Sequence, residues 1–157
     1  MSDYPNYDPQ QSGPQQSGQQ QSGQQGYGQQ PDYRAPGNVP SMSPQDERTW
    51  GAIAHGAALA AMVLSAGFLG FLGSLAVYIV HKDRGPFVRA HAANSLNVQI
   101  TMFIWIVISI PLILLLGLGF LTLIAAPFVA GLLHIIGAIK AYQGEWWNPP
   151  LTPRFVK

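Results

Sequence analysis

The sequence predicts an all-α protein: a four-helix integral membrane bundle with a disordered N-terminal tail. Of its 157 residues, 48% are hydrophobic and only 10% are charged, whereas about a quarter of the residues in typical soluble domains are charged. The apolar residues lie mainly in the second part of the chain, where residues 90–139 include no Lys, Arg, Asp or Glu. This distribution predicts a soluble tail, residues 1–45, and a membrane domain, residues 46–157.

The predicted tail consists mainly of Gln, Gly, Ser, Pro and Tyr. The sequence "QQSG" begins at Gln10, Gln15 and Gln20, and tyrosines are distributed among the repeats. Such a composition predicts disorder, because it buries too little apolar surface to offset the loss of chain entropy. Two interpretations stay open: an inert solvated extension, or a segment that clusters weakly through many copies.

The first helical hairpin is predicted from the stretch that follows the tail. In "SPQDERTW", Ser43 is a candidate N-cap and Pro44 suits the first helical position. Residues 51–80 are uncharged, and as one helix they would measure ~45 Å, more than a hydrocarbon core of ~30 Å. The glycines of "SAGFLGFLGS" favour a turn, so we predict short helices at about 50–66 and 69–81, the turn being permitted by Gly67, Gly70 and Gly73.

The second hairpin is predicted to have longer helices. One extends from Pro86 to about Leu116 with a kink at Pro111. The other follows "GLG" at 117–119 and ends near Tyr142, where Gly144 and the Pro149–Pro150 pair terminate it. With four helices, every Lys and Arg lies on one side of the membrane. A three-helix alternative would separate the basic residues and is disfavoured by the positive-inside rule. We therefore predict a multi-pass protein of the bacterial cytoplasmic membrane with both termini cytoplasmic.

Composition also excludes or disfavours several kinds of chemistry. The absence of cysteine excludes disulfides and thiolate chemistry, and the net charge of +1 without a basic cluster disfavours a nucleic-acid partner. An intramembrane enzyme is disfavoured because the apolar segments carry no acidic residue to act as acid or base. We expect no cofactor and no metal site.

The best candidate for a functional site is a polar stripe at the start of the third predicted helix, within "RGPFVRAHAANSLNVQI". At 100° per residue, several of its side chains share one face, and polar groups at this depth are costly unless they are paired. The stripe therefore faces other helices or a wet cavity, and either a functional role or hydrogen-bonded packing explains it. Its residues are Arg89, His91, Asn94, Asn97 and Thr101.

Two further groups of residues have expected structural roles. His55 and His134 lack metal-binding spacing and are expected to be hydrogen-bonded interior histidines, positioned to lie near the cytoplasmic interface with His91. Small residues recur four apart in "GAIAHGAALAAMVL", which indicates close helix packing within one chain or between copies. Basic and aromatic residues at the end of the fourth helix are expected to anchor it at the membrane surface: Lys140, Tyr142, Trp146 and Trp147.

Two motifs in combination resemble a known family. "GPFVRAHAANSLNVQI" and "AIKAYQGEWWNPPL" are similar to a family of small bacterial membrane proteins that includes the magnetosome proteins MamF and MmsF and is distantly similar to the four-helix subunit of the chloroplast Tic import machinery. The resemblance covers about residues 46–155 and excludes the Gln-rich tail. It implies a four-helix membrane fold and a membrane location more than a mechanism.

The leading hypothesis is a non-enzymatic membrane accessory or scaffold protein whose cytoplasmic tail recruits partners. Its partners would be the lipid bilayer and other membrane proteins or copies of itself. The alternative is a transport or protein-translocation component in which the polar stripe lines a hydrated path.

Overall fold

The computed structural model describes residues 39–115 and 117–157, and all regular secondary structure in this part of the chain is helical. The helices are α1 (Pro44–Leu64), α2 (Gly70–His81), α3 (Pro86–Leu114) and α4 (Leu118–Gln143). The four-helix, all-α prediction is therefore confirmed. Most of the predicted tail, up to residue 38, lies outside the described residues.

Helix α1 begins at the N-cap that the sequence predicts, and it starts about six residues before the predicted membrane helix at 50–66. The Ser43 hydroxyl accepts a hydrogen bond from the Asp46 backbone N–H at 3.1 Å, and Pro44 occupies the first turn, where its missing N–H costs nothing. At the other end of the domain, Gly144 ends α4 with a φ of 77°, a left-handed conformation that glycine adopts without strain. Both helix-end predictions are confirmed.

The turn between α1 and α2 differs in detail from the prediction. Only Gly67 of the three glycines has a positive φ, 101°. Gly70 and Gly73 lie inside α2, where a Cβ atom at Gly73 would be 2.6 Å from the carbonyl carbon of Ala57. Gly73 therefore permits close packing of α2 on α1. The turn, residues 65–69, is longer than the gap between the predicted helices, and Gly67 is the one glycine of the series that lies in it.

Helices α1 and α3 form the centre of the bundle. Each of them contacts the three other helices, whereas α2 and α4, within the described part of the chain, make no contact with each other. Part of the small-residue pattern of α1 lies in its contacts with the other helices, because Ala54 and Ala58 are fully buried. Gly56 and Ala60 of the same helix are exposed.

The bundle is thick at one end and thin at the other. In α3 the buried residues cluster between Phe87 and Met102, and of the remaining residues only Ser109 is buried. In α4 the buried residues begin at Ala130, apart from Gly119 near its start. The ends of α3 and α4 that meet at the turn near residue 116 thus extend beyond the four-helix core as a two-helix hairpin.

Two of the described helices, α3 and α4, are long and apolar enough to cross a membrane, judged by length and composition. Helix α2 is also apolar but has only 12 residues, which corresponds to ~18 Å. Proline occurs inside both long helices, at Pro111 as expected and also at Pro127. Membrane helices tolerate interior proline because neighbouring groups satisfy the freed backbone carbonyls.

Candidate functional site

The polar stripe of α3 binds the C-terminal segment, residues 145–157, which follows α4. The amide of Asn97 donates to the carbonyl oxygen of Val156 at 2.9 Å. Its oxygen accepts from the backbone N–H groups of Phe155 and Val156 at 3.0 and 2.8 Å. An Asn side chain presents both a donor and an acceptor, so it satisfies an extended backbone as a neighbouring strand would.

Three more residues of the stripe contact the same segment. Asn94 donates to the carbonyl oxygen of Trp147, and a ring nitrogen of His91 lies 3.0 Å from the carbonyl oxygen of Glu145. Closer to the start of α3, the Nε of Arg89 donates to the carbonyl oxygen of Lys157 at 3.3 Å. The predicted stripe thus holds an extended segment along one face of α3, where the sequence predicted another helix or a wet cavity.

Thr101, the last residue of the stripe, makes no side-chain hydrogen bond to the C-terminal segment. Its hydroxyl is buried and has no hydrogen-bond partner. It lines a cavity of about 320 Å³ between α3, α4 and the C-terminal segment, whose other lining residues are apolar except for Thr122 and Thr152. The apolar lining residues include Val98, Trp105, Ala126 and Leu133.

The structure brings three histidines together in the core. His55 of α1, His91 of α3 and His134 of α4 are all fully buried. The Nδ1 atoms of His55 and His134 are 3.3 Å apart, which is within hydrogen-bond distance, and the rings of His55 and His91 meet edge to face with their centroids 5.7 Å apart. The expectation of hydrogen-bonded interior histidines close to His91 agrees with this geometry.

Two ring nitrogens of this histidine cluster have no hydrogen-bond partner: Nε2 of His55 and Nδ1 of His91. No group of three or more His, Asp or Glu side chains in the described residues converges as a metal site would require. The cluster is therefore a polar layer inside the bundle, with two buried nitrogens that are not satisfied by protein atoms.

Glycines make room for the histidines. A Cβ atom at Gly137 of α4 would overlap the ring of His55, and one at Gly51 of α1 would lie 3.2 Å from Cβ of His91. Each histidine ring packs against a glycine of the neighbouring helix. The two helix backbones therefore stay close although a large side chain is buried between them.

Sequence reasoning missed the polar residues that complete this layer on the α2 side. The hydroxyls of Ser74 and Ser95 are 2.6 Å apart, and Ser95 also donates to the carbonyl oxygen of Ala54 at 3.0 Å. The side-chain amide nitrogen of Gln99 lies 2.7 Å from Nε2 of His134. Helical periodicity could have placed Ser95 and Gln99 on a second polar face of α3, four residues apart.

Glu47 was also missed. It is 2% exposed, although it lies in the first turn of α1. Its carboxylate accepts hydrogen bonds from the backbone N–H groups of Phe87 and Val88 at 2.8 and 3.1 Å, and so caps the start of α3. A carboxylate at this end of a helix is favoured by the unsatisfied N–H groups and the helix dipole. No local sequence signal connects residue 47 with residue 87.

The four predicted anchors have two different surroundings. Lys140 forms an ion pair with Glu145, and Tyr142 is exposed. Trp146 and Trp147 are half-buried: Trp146 packs edge to face on Phe87, and Trp147 packs beside His55. The anchoring role of these residues stays a prediction.

Comparison with protein families gives one match. A model described as the magnetosome magnetite crystal formation protein family, MamF/MmsF, matches residues 46–156. The chain belongs to the MamF/MmsF family. The matched region includes all four helices except the first two residues of α1, and membership agrees with a membrane location. No curated protein and no solved structure matches the chain. The similarity to the Tic subunit stays a prediction.

Proposed function

We propose that this chain is a non-enzymatic, multi-pass accessory protein of a bacterial cytoplasmic membrane, with both termini cytoplasmic. Its helical domain would act as a scaffold that presents the tail, residues 1–45, to partners or to other copies. Membership of the MamF/MmsF family supports a place among membrane proteins that assist magnetite crystal formation. Because the tail lies outside the matched residues, recruitment by the tail would be a property of this chain.

The observation that carries the scaffold role is the use of the polar stripe. Four of its five residues bind the backbone of the chain's own C-terminal segment. The polar groups that would have to line a substrate path are thus engaged in holding the domain together. This use of the polar stripe supports a scaffold function more than a transport function.

The tail hypothesis is tested with fluorescent fusions at matched expression. We compare the full chain, a deletion of residues 2–38, and a variant with Tyr4, Tyr7, Tyr27 and Tyr33 changed to Ser. The deletion leaves the backbone hydrogen bond from Met42 to Arg84 intact. We expect both altered tails to insert normally and to cluster less, because weak multivalent contacts depend on aromatic stacking.

The matched control changes four glutamines to Ser, at Gln10, Gln15, Gln20 and Gln24, and should cluster like the parent. Identical membrane distribution and diffusion for all four proteins would show that the tail is an inert extension. The helical domain would then be the functional part of the chain.

The second candidate function is transport. Its support is the set of buried polar atoms without partners, on His55, His91 and Thr101, since such groups often mark a path for ions or protons in membrane proteins. Reconstituted protein in liposomes loaded with a pH-sensitive dye tests it. Proton flux above that of empty liposomes, abolished by Thr101→Val, would favour transport; flux equal to the control would leave the scaffold role.

A further inference from the structure

The α1–α2 hairpin is shorter than the α3–α4 hairpin when both are measured from one reference point near the chain termini. The reference point is the carbonyl oxygen of Lys157, which accepts hydrogen bonds from the Tyr78 hydroxyl at 2.8 Å and from Nε of Arg89 at 3.3 Å. Tyr78 of α2 and Arg89 of α3 therefore lie at the same height in the bundle. From Arg89, α3 continues for about 25 residues, or ~38 Å, to its end at Leu114. From Tyr78, α2 extends only about 8 residues, or ~12 Å, to its start at Gly70.

Helix α1 is longer than α2 but still short of a full crossing. Trp50 stacks on His81, with ring centroids 4.1 Å apart, so it marks the same end of the bundle. From Trp50 to the end of α1 at Leu64 there are about 14 residues, or ~21 Å. The parts of α1 beyond Trp50 and of α2 beyond Tyr78 are thus both shorter than a hydrocarbon core of ~30 Å.

The tip of this hairpin has the surface of a segment inside a membrane. Its side chains are apolar and open to the surroundings: Val63 is 70% exposed, Leu64 89% and Phe68 68%. The α3–α4 turn is equally apolar, with Leu114 88% exposed. The apolar surface therefore indicates contact with lipid at both turns, and the shorter reach of α1 and α2 is what places the first tip deeper in the bilayer.

The backbone N–H groups of the tip are satisfied without water. All five N–H groups from Ser65 to Leu69 donate within the turn: four bind backbone carbonyls, and the fifth, of Leu69, binds the Ser65 hydroxyl at 2.7 Å. The same hydroxyl donates to the carbonyl oxygen of Ala61 at 2.6 Å. Internal satisfaction of these N–H groups suits a turn in hydrocarbon, since each unsatisfied group there costs several kcal/mol.

We propose that α1 and α2 form a re-entrant hairpin, which enters and leaves the bilayer on the same side and whose tip is covered by lipid acyl chains near the membrane midplane. Helices α3 and α4 cross the whole bilayer. This goes beyond the proposed function, which requires only that both termini lie on one side. Four helices then occupy one leaflet and two helices occupy the other.

Depth-dependent fluorescence quenching tests the proposal. The chain contains no cysteine, so a single introduced cysteine carries one fluorophore. Phe68→Cys and Leu64→Cys report on the α1–α2 tip, and Leu115→Cys is the matched control at the other turn, where Leu115 is 60% exposed. The labelled full-length chains are reconstituted in phosphatidylcholine vesicles with a quencher on the headgroup or near the end of an acyl chain.

We expect the acyl-chain quencher to be at least about twofold more effective than the headgroup quencher on labels at 64 and 68, because the tip ends ~12–21 Å below the interface. The order should reverse for the label at 115. Stronger quenching of the label at 68 by the headgroup quencher would overturn the proposal.

Labelling with a membrane-impermeant maleimide gives an independent result. Gln143→Cys should react from one side and Leu115→Cys from the other, whereas Phe68→Cys should react only after detergent is added. Reaction of Phe68→Cys from the same side as Leu115→Cys would show a complete crossing and overturn the proposal. Helix content and thermal midpoint equal to those of the parent confirm that each variant is folded.

Discussion

Asn97 joins α3 to the end of the chain through a single side chain. It is 1% exposed and makes hydrogen bonds to the backbone of Phe155 and Val156 in both directions. Replacing it removes the partners of two backbone N–H groups and one carbonyl together. The loss in stability on replacing Asn97 therefore depends on whether these backbone groups form hydrogen bonds to water once the segment is released.

We predict that Asn97→Leu lowers the thermal stability of the domain in detergent and releases the C-terminal segment. Each backbone group left unpaired in the interior costs roughly 1–3 kcal/mol. Thermal unfolding measures the first effect, and carboxypeptidase digestion measures the second. Ile108→Leu is the control, because Ile108 is 42% exposed on the apolar part of α3 and makes no polar contact there. Unchanged stability and digestion for Asn97→Leu would show that the stripe does not hold the segment.

Glu47 performs a comparable task at the opposite end of the sequence. Its carboxylate caps α3 from α1, and Gly85 leaves space for it, because a Cβ atom at Gly85 would overlap that carboxylate. A buried acid in this position links the start of one helix to the start of another.

We predict that Glu47→Ala destabilises the domain by about 1–3 kcal/mol, the cost of leaving buried donors without a charged acceptor. Glu47→Gln should cost less, because its amide oxygen still accepts hydrogen bonds. Asp46→Asn removes an exposed negative charge from the same turn and serves as the control. Thermal midpoints of the four proteins in one detergent decide the matter; equal midpoints for Glu47→Ala and Asp46→Asn would contradict the cap.

At the scale of the helices, close approach of backbones replaces a large apolar core. Gly73 permits the contact of α2 with α1, Gly119 permits the contact of α4 with α3, and Gly137 receives the ring of His55. Small residues are favoured at such contacts in membranes, where lipid competes equally well for large apolar side chains. The packing of this bundle therefore depends on a few positions that accept no Cβ atom.

We predict opposite effects for two glycine-to-alanine substitutions in the first hairpin. Gly73→Ala should destabilise the domain, because its Cβ would lie 2.6 Å from backbone atoms of Ala57. Gly56→Ala should be neutral or stabilising by up to ~1 kcal/mol, because a Cβ there meets no atom within 4 Å and alanine is the better helix former. Thermal unfolding of both variants is the measurement. Equal stability would mean that α1 and α2 do not pack as closely as the structure shows.

At the scale of the whole molecule, the described unit is wide at the end that carries the N- and C-terminal segments and narrow at the α3–α4 turn. The four helix pairs that involve α1 or α2 pack in the four-helix layer, whereas the extension consists of α3 and α4 alone. Under the re-entrant arrangement, this shape occupies more area in one leaflet than in the other.

We predict that the orientation of the reconstituted chain depends on membrane curvature. The outer leaflet of a small vesicle is expanded and accommodates a wide protein end more easily than the inner leaflet does. The wide end should therefore face outward more often in small vesicles than in large ones. The accessible fraction of Gln143→Cys, measured with an impermeant maleimide across vesicle diameters, reports the orientation. Chains of opposite orientation in one preparation serve as the internal control. An orientation ratio independent of diameter would contradict the prediction.

The sequence by itself determined the helices and the region of the polar site. Ser43, Pro44 and Gly144 carry local capping chemistry, so the beginning of α1 and the end of α4 follow from neighbouring residues alone. The period of the helix likewise placed His91, Asn94 and Asn97 on one face, because that geometry requires no knowledge of the partner.

Only the tertiary structure decided what these groups contact. Asn97 binds a backbone almost 60 residues away, and Glu47 caps α3 through a backbone N–H that lies 40 residues later. Such pairings depend on how the helices are arranged in space, and no local pattern records them. The roles of Gly70 and Gly73 were decided in the same way: glycine permits both a turn and a close contact, and only the neighbouring helix determines which of the two is used.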